Sequence, residues 1–172
     1  QMLGLVPLGS GNDIARDLGV QGRPWTQALA HALQAPLQAM DSGWVRADDG
    51  EPVPFLSSLS AGFDAAVGWR AVRGPRWLRG QPRYLWATLK ELAALRHWEV
   101  HLQVDAKPAW QGQVLLASAL NTATYGSGMP AAPGGRTDDG QLDALRALAM
   151  GRGGVLQLLP RLLRGTHLRD PR

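Results

Sequence analysis

The sequence has no cysteine, which removes disulfides and thiolate metal sites from consideration. It has no run of about eighteen apolar residues and no secretory leader, so it reads as a soluble or membrane-peripheral segment. The expected location is cytoplasmic, with contact at the inner face of the membrane allowed. No Gly-x-Ser-x-Gly elbow occurs, and His31 and His167 stand alone, so triad hydrolysis has no support. His97 and His101 lie in His-Trp-Glu-Val-His, which is not the His-Glu-x-x-His pattern of a metalloprotease. On a strand they would be roughly 13 Å apart, too far to share one zinc ion. Basic residues outnumber acidic ones 18 to 14, a formal charge of +4, without the dense patch expected of a nucleic-acid binder. Internal repeats and low-complexity tracts are also missing.

Chemistry is concentrated instead in Leu3-Gly-Leu-Val-Pro-Leu-Gly-Ser-Gly-Asn-Asp-Ile-Ala-Arg16. Leu3 to Leu8 is an apolar run of strand length, ended by Pro7, which cannot donate to a sheet ladder. Gly9 and Gly11 then bend the chain, and Ser10, Asn12 and Asp13 offer capping side chains to a helix expected over Asp13 to Leu18. The unpaired amides at a helix start attract anions, so a nucleotide phosphate is one reading of this loop. A plain strand-to-helix turn is the other, because the loop lacks the third glycine of a dinucleotide fingerprint and the Lys-Ser/Thr of a P-loop.

Further along, Trp25, Leu29 and Leu33 predict a packed helix, and Leu37 to Val45 returns to an extended pattern around Asp41. The expected domain boundary falls here, between residues 36 and 37. Val53 to Leu59 predicts a strand, and the period then changes to helical through about Val72. A second helix should bury Leu85, Leu89, Leu92 and Leu95. Between Arg70 and Arg96 seven basic residues face a single acid, Glu91, with Trp69, Trp77, Tyr84 and Trp86 interleaved. That composition suits an anionic membrane headgroup zone, and it equally suits a helical pair with a solvated face and buried tryptophans. Trp98 to Ala119 alternates as strands do. Asp138-Asp139-Gly140 could be a hairpin turn or hold a hard cation with backbone oxygens. In the tail, Pro160 should shorten or kink a leucine-rich helix whose leucines face inward.

Four separated stretches together resemble the diacylglycerol kinase catalytic-domain family, which also includes sphingosine, ceramide and bacterial lipid kinases. They are Pro-Leu-Gly-Ser-Gly-Asn-Asp-x-Ala-Arg within residues 5–16, Met40-Asp-Ser-Gly43, Phe-x-x-x-x-Ser-x-Gly-Phe-Asp-Ala at 55–65, and Tyr125 to Asp143. Ser10 stands where the family usually has threonine, and Gly134-Gly135 where it usually has Asp-Ala. The resemblance implies an α/β plus β-rich architecture: the end of a Rossmann-like nucleotide-binding domain at 1–36, then a β-sandwich-like domain with inserted helices at 37–172. It further implies that Gly9, Ser10, Gly11 and Asn12 line the ATP phosphates. Asp13 and Asp41 would join a water-bridged network around a catalytic Mg²⁺. Asp139 would bind a structural Mg²⁺, with the carbonyls of Arg136 and Gln141 as co-ligands.

The implied activity is an ATP- and Mg²⁺-dependent lipid kinase that phosphorylates a lipid hydroxyl, diacylglycerol first among acceptors. The alternatives are a related kinase acting on a sphingoid base, a soluble acceptor or NAD, and a catalytically inactive relative that binds nucleotide or membrane. Implied partners are ATP, the lipid acceptor and an anionic membrane surface, with no nucleic acid; a homodimer is allowed. The family's Gly-Gly-Asp-Gly-Thr motif and its general base have no match within these residues. The sequence therefore reads as a piece of a longer chain that would be inactive alone.

Overall fold

The computed structural model describes residues 2–9 and 11–170. The chain forms two compact units, one built from residues 1–59 and 120–143, the other from 60–119 and 144–172. The expected division at 36/37 thus falls inside the first unit.

In the first unit, Leu3 to Leu8 does not form the expected strand. A strand exists only where a neighbour takes its backbone hydrogen bonds, and the segment makes instead a local bond from the Leu8 N–H to the Val6 carbonyl, 3.0 Å. Helix α1 (Asp13–Asp17) and helix α2 (Trp25–Gln34) follow, the first one residue shorter than expected. Helix α2 buries Ala28 to 1 % exposure, whereas Trp25, Leu29 and Leu33 lie exposed. The expectation of a face packed through those three residues is therefore corrected: among the described residues, the small alanine makes the close contact. Strands β1 (Gly43–Val45) and β2 (Val53–Phe55) pair antiparallel, Gly43 opposite Phe55. Residues 120–143 then return to this unit as a long loop.

The second unit carries a four-stranded sheet in the order β3-β5-β4, with β6 also paired to β5. Its strands are β3 (Ser58–Gly62), β4 (Trp98–Leu102), β5 (Trp110–Leu120) and β6 (Asp143–Leu148). Strands β4 and β5 run antiparallel, from Trp98 opposite Val114 to Leu102 opposite Trp110. Leu115, Leu116, Ala147, Met150 and Val155 form the core, against which Leu92, Leu95 and Leu158 pack. Helices α3 (Phe63–Val72) and α4 (Gln81–Ala93) meet through Val67, Ala71 and Ala87. Leu92 and Leu95 take the inward positions expected of them, but Leu85 and Leu89 are exposed, because α4 turns Ala87 and Glu91 inward. The tail helix α5 (Arg152–Leu163) runs on through Pro160. Val155 and Leu158 face the core, but Leu156 and Leu163 are exposed, so only part of the leucine set points inward.

Candidate functional site

The candidate residues of the first unit are organised by hydrogen bonds between its opening segment and the returning loop. Asn12 adopts left-handed backbone angles, φ 55° and ψ 41°, immediately before α1. Rather than capping the helix, its side chain turns back: Oδ1 accepts the Gly9 N–H at 3.0 Å and Nδ2 donates to the Gly9 carbonyl at 2.5 Å. This ring closes the glycine loop upon itself. The Gly9 amide is thereby engaged, Ser10 lies outside the described residues, and the amides of Gly11 and Asn12 have no hydrogen-bond partner among the described residues. Those two amides are candidate donors to an anion.

Asp13, at the first position of α1, is held by four donors. Its Oδ1 accepts the Gly128 N–H at 2.7 Å, Arg16 Nη1 at 2.6 Å and the Thr124 hydroxyl at 3.2 Å, and its Oδ2 accepts the Ser127 N–H at 2.9 Å. The loop can offer two successive amides because Gly126, Ser127 and Gly128 all have positive φ, 58°, 74° and 98°. Successive N–H groups that converge on one point can receive an anion; here the anion is the protein's own carboxylate. Gly11 admits the loop, since a Cβ there would sit 3.1 Å from Ser127 Oγ. At Gly128 a Cβ would stand 2.9 Å from the Arg16 guanidinium carbon.

Asp41 is fixed elsewhere along the same loop. Its N–H donates to the Thr137 carbonyl at 2.6 Å, its Oδ2 accepts the Gly140 N–H at 2.7 Å, and its carbonyl accepts Asn121 Nδ2 at 2.9 Å. Asp138-Asp139-Gly140 is thus tied to Asp41 through Gly140. Asp139 is exposed, and its Oδ1 accepts the Gln141 N–H at 3.0 Å, while the Arg136 guanidinium pairs with Asp138 at 3.1 Å. The returning loop therefore binds both Asp13 and Asp41, through residues 124–128 and 137–140 respectively, and no hydrogen bond joins the two aspartates directly.

The donor chemistry can be weighed against Mg²⁺, a hard cation that prefers oxygen and keeps several waters. Asp13 Oδ1 already takes three donors and Oδ2 one, so its carboxylate is well placed to meet such an ion through water. Asp41 Oδ1 has no hydrogen-bond partner among the described residues and is the more open oxygen. Among the described residues no group of three metal-binding side chains assembles, so a cation at Asp139 would depend on carbonyls and water. The oxygen-only set fits a hydrated Mg²⁺.

Two residues that the sequence reading passed over, Asp17 and Asn121, also belong to the site. Asp17 Oδ2 accepts the Ala123 N–H at 2.6 Å, and Thr124 shares its hydroxyl between Asp13 and Asp17. Asp13 and Asp17 are four apart on one helix face, a spacing visible in sequence. Asn121, 2 % exposed, donates through Nδ2 to the carbonyls of Asp41 and Leu56, and its N–H binds the Ser57 carbonyl at 2.8 Å. In the second unit, Asp64 accepts the Ala65 N–H at 2.9 Å and the Ser118 hydroxyl at 3.3 Å. Burial pushes its carboxyl above the ordinary 3.8, with the Ser60, Ala65 and Ser118 hydrogen bonds opposing.

Comparison with known proteins identifies the family. Residues 57–172 match the YegS C-terminal NAD kinase beta sandwich-like domain, and residues 1–45 match the diacylglycerol kinase catalytic domain. A diacylglycerol kinase of Mycobacterium tuberculosis is 33% identical over 166 residues, covering 96% of this chain and 53% of that protein. A diacylglycerol kinase of Bacillus subtilis is 24% identical over 168 residues, covering 98% of this chain and 54% of that protein. A crystal structure of a Bacillus anthracis str. Sterne protein assigned to the diacylglycerol kinases shares the fold, with a TM-score of 0.57 at 21% identity over 93% of this chain and 48% of that one. The chain spans about half the length of the curated relatives it matches. With the β-sandwich-like domain alone matching more than half of its residues, the chain belongs to the diacylglycerol kinase catalytic-domain family.

Proposed function

We propose that the complete protein carrying this chain is a lipid kinase that transfers the γ-phosphoryl group of ATP to a lipid hydroxyl, with diacylglycerol as the first acceptor to test. Family membership supports the reaction class. The observation that carries the site assignment is the binding of both Asp13 and Asp41 by one returning loop, which orders two carboxylates and leaves Asp41 Oδ1 open. Phosphoryl transfer asks a protein mainly for positioning and charge neutralisation. A bound Mg²⁺ would supply the neutralisation, held through water by Asp13 and Asp41. The open amides of Gly11 and Asn12 would orient the nucleotide phosphates, and Gly9 with Asn12 would keep that loop in shape. Asp139, with the carbonyls of Arg136 and Gln141, would hold a second, structural Mg²⁺. The partners in this reading are ATP, the lipid and, at the inner membrane face, an anionic bilayer.

Transfer of labelled γ-phosphate from ATP in mixed micelles tests the proposal, with diacylglycerol, a sphingoid base and NAD offered in parallel and Mg²⁺ titrated. Diacylglycerol should be labelled preferentially. Asp13→Asn should lower turnover by about 100-fold or more, and Asp139→Asn should raise the Mg²⁺ needed for half-maximal rate. Absence of labelled product with every acceptor refutes the kinase proposal, and unchanged kinetics in both variants refutes the residue assignments.

A further inference from the structure

Asp13 and Asp41 share no hydrogen bond, yet one buried seam connects to both. Its two sides are the dipeptides Leu56-Ser57, between β2 and β3, and Asn121-Thr122, directly after β5. The Asn121 N–H donates to the Ser57 carbonyl at 2.8 Å, and Asn121 Nδ2 donates to the Leu56 carbonyl at 2.9 Å. Thr122 Oγ1 gives its single proton to the Thr124 carbonyl at 2.8 Å, so in the 2.8 Å contact between Ser57 Oγ and Thr122 Oγ1 the serine is the donor. Asn121 and Thr122 are 2% and 1% exposed. A hydroxyl buried so completely costs stability unless it is hydrogen-bonded, and valine offers the same branched shape without it. Packing alone therefore does not call for threonine at 122.

From the seam one arm reaches each aspartate. Asn121 Nδ2 places its second proton on the Asp41 carbonyl at 2.9 Å. On the other arm Thr122 holds the Thr124 carbonyl, while the Ala123 N–H is taken by Asp17 Oδ2 at 2.6 Å and the Ala123 carbonyl accepts the Ala132 N–H at 3.1 Å. Thr124, fixed in this way, brings its hydroxyl to Asp13 Oδ1 at 3.2 Å. Two side chains adjacent in sequence thus govern the backbone of Asp41 and the carboxylate of Asp13. Mg²⁺ demands near-ideal octahedral geometry, so an ion shared by both carboxylates through water tolerates little change in their separation.

We propose that Thr122 is a positioning residue: its hydroxyl locks the seam that sets Asp13 and Asp41 relative to each other for one hydrated Mg²⁺ bound with nucleotide. This rests on the proposed assignment of those aspartates to Mg²⁺ and adds to it a residue that touches neither metal nor substrate.

Thr122→Val, which keeps the shape, and Thr122→Ser, which keeps the hydroxyl, test it in the complete protein. Calorimetric titration with Mg²⁺ beside a non-hydrolysable ATP analogue should show about tenfold weaker binding in Thr122→Val, the factor expected when a buried hydroxyl and a carbonyl lose their partner. Thr122→Ser should bind as wild type does. In the protein without metal or nucleotide, the peptide covering Ser127 and Gly128 should exchange its amide hydrogens about tenfold faster in the valine variant. Ser57→Ala cuts the same chain from its other side and serves if Thr122→Val does not fold; it should weaken Mg²⁺ binding too, and the double variant should be no weaker than Thr122→Val. Wild-type Mg²⁺ affinity in whichever of Thr122→Val and Ser57→Ala folds overturns the proposal, even with a lowered melting temperature, because a merely structural threonine would cost stability alone. Equal weakening by Thr122→Ser and Thr122→Val also overturns it, since the hydroxyl would not be the cause. Wild-type protein that takes up no Mg²⁺ overturns it together with the metal assignment. The expected Mg²⁺ pattern without phosphorylation of any acceptor would leave the seam standing while the kinase proposal failed.

Discussion

The clamp on Asp13 can be broken with almost no change of volume by Asp13→Asn, and the cost follows from counting donors. Four donors converge on the carboxylate: two backbone amides, the Thr124 hydroxyl and Arg16. An asparagine amide has one acceptor oxygen and an NH₂ group that is itself a donor. With the oxygen toward Gly128, the NH₂ faces the Ser127 N–H; flipped, it faces the Gly128 N–H and the guanidinium. At least one half-buried amide is left unpaired, at about 1–3 kcal/mol, and the bonds that survive lose their charge assistance, about 1 kcal/mol more. The Arg16 pair adds little, because its side chain is 31% exposed. The total, about 2–4 kcal/mol, should lower the melting temperature by about 4–16 °C in a chain of this size. Amide hydrogen exchange followed by mass spectrometry reads the clamp directly. Measured without Mg²⁺ and nucleotide, the peptide covering Ser127 and Gly128 should exchange about 30- to 1,000-fold faster in the variant. Wild-type exchange in that peptide together with an unshifted melting temperature would show that the carboxylate does not order the loop.

Two further substitutions probe other parts of the structure. Asn121→Asp sets a carboxylate where Nδ2 now donates to the Asp41 and Leu56 carbonyls, 2.9 Å each, so destabilisation of about 3 kcal/mol or more is expected in urea unfolding; a midpoint like that of the wild type would contradict the assigned amide orientation. Asp64→Asn tests a pH dependence. Because burial holds the folded carboxyl above 3.8, folding favours the protonated form, and its contribution is complete below 3.8 and lost as pH rises through the folded value. The variant lacks that loss, so its stability relative to wild type should increase from about pH 3.5 toward neutrality. A constant difference across that range would remove burial as the controlling influence.

Local patterns were legible where local physics decides the structure. The helices over residues 63–72 and 81–93 follow from their period, and the strands over 98–120 from alternation. The expected strand at Leu3 to Leu8 failed because an apolar run records burial without naming a partner. Trp25, Leu29, Leu33, Leu85 and Leu89 misled for a related reason: helical spacing identifies a face and does not say what covers it. In α4 the inner positions went to Ala87 and to Glu91, a charge whose burial depends on Arg70, twenty-one residues away.

The site was legible as motifs and illegible as a mechanism of assembly, and sequence separation explains the difference. Asp13 meets Ser127 and Gly128 across separations of 114 and 115 residues. No local period encodes such contacts, and closing a flexible loop of that length costs about 4 kcal/mol in chain entropy beyond a constant. The intervening second unit reduces that cost through its own sheet. Strands β3 and β5 are paired, and Ser60 Oγ lies 3.0 Å from Ser118 Oγ, so the inserted segment enters and leaves side by side. Just outside it, the Asn121 N–H binds the Ser57 carbonyl at 2.8 Å, which starts the returning loop beside β3. Once β3 and β5 have paired, the chain left to close onto Asp13 is residues 13–57 together with 121–127, rather than all of 13–127. The serines at 60 and 118 thus belong to the site's assembly even though they lie outside its chemistry. Weakening β3–β5 pairing should therefore slow formation of the Asp13 clamp before it alters the clamp's final geometry.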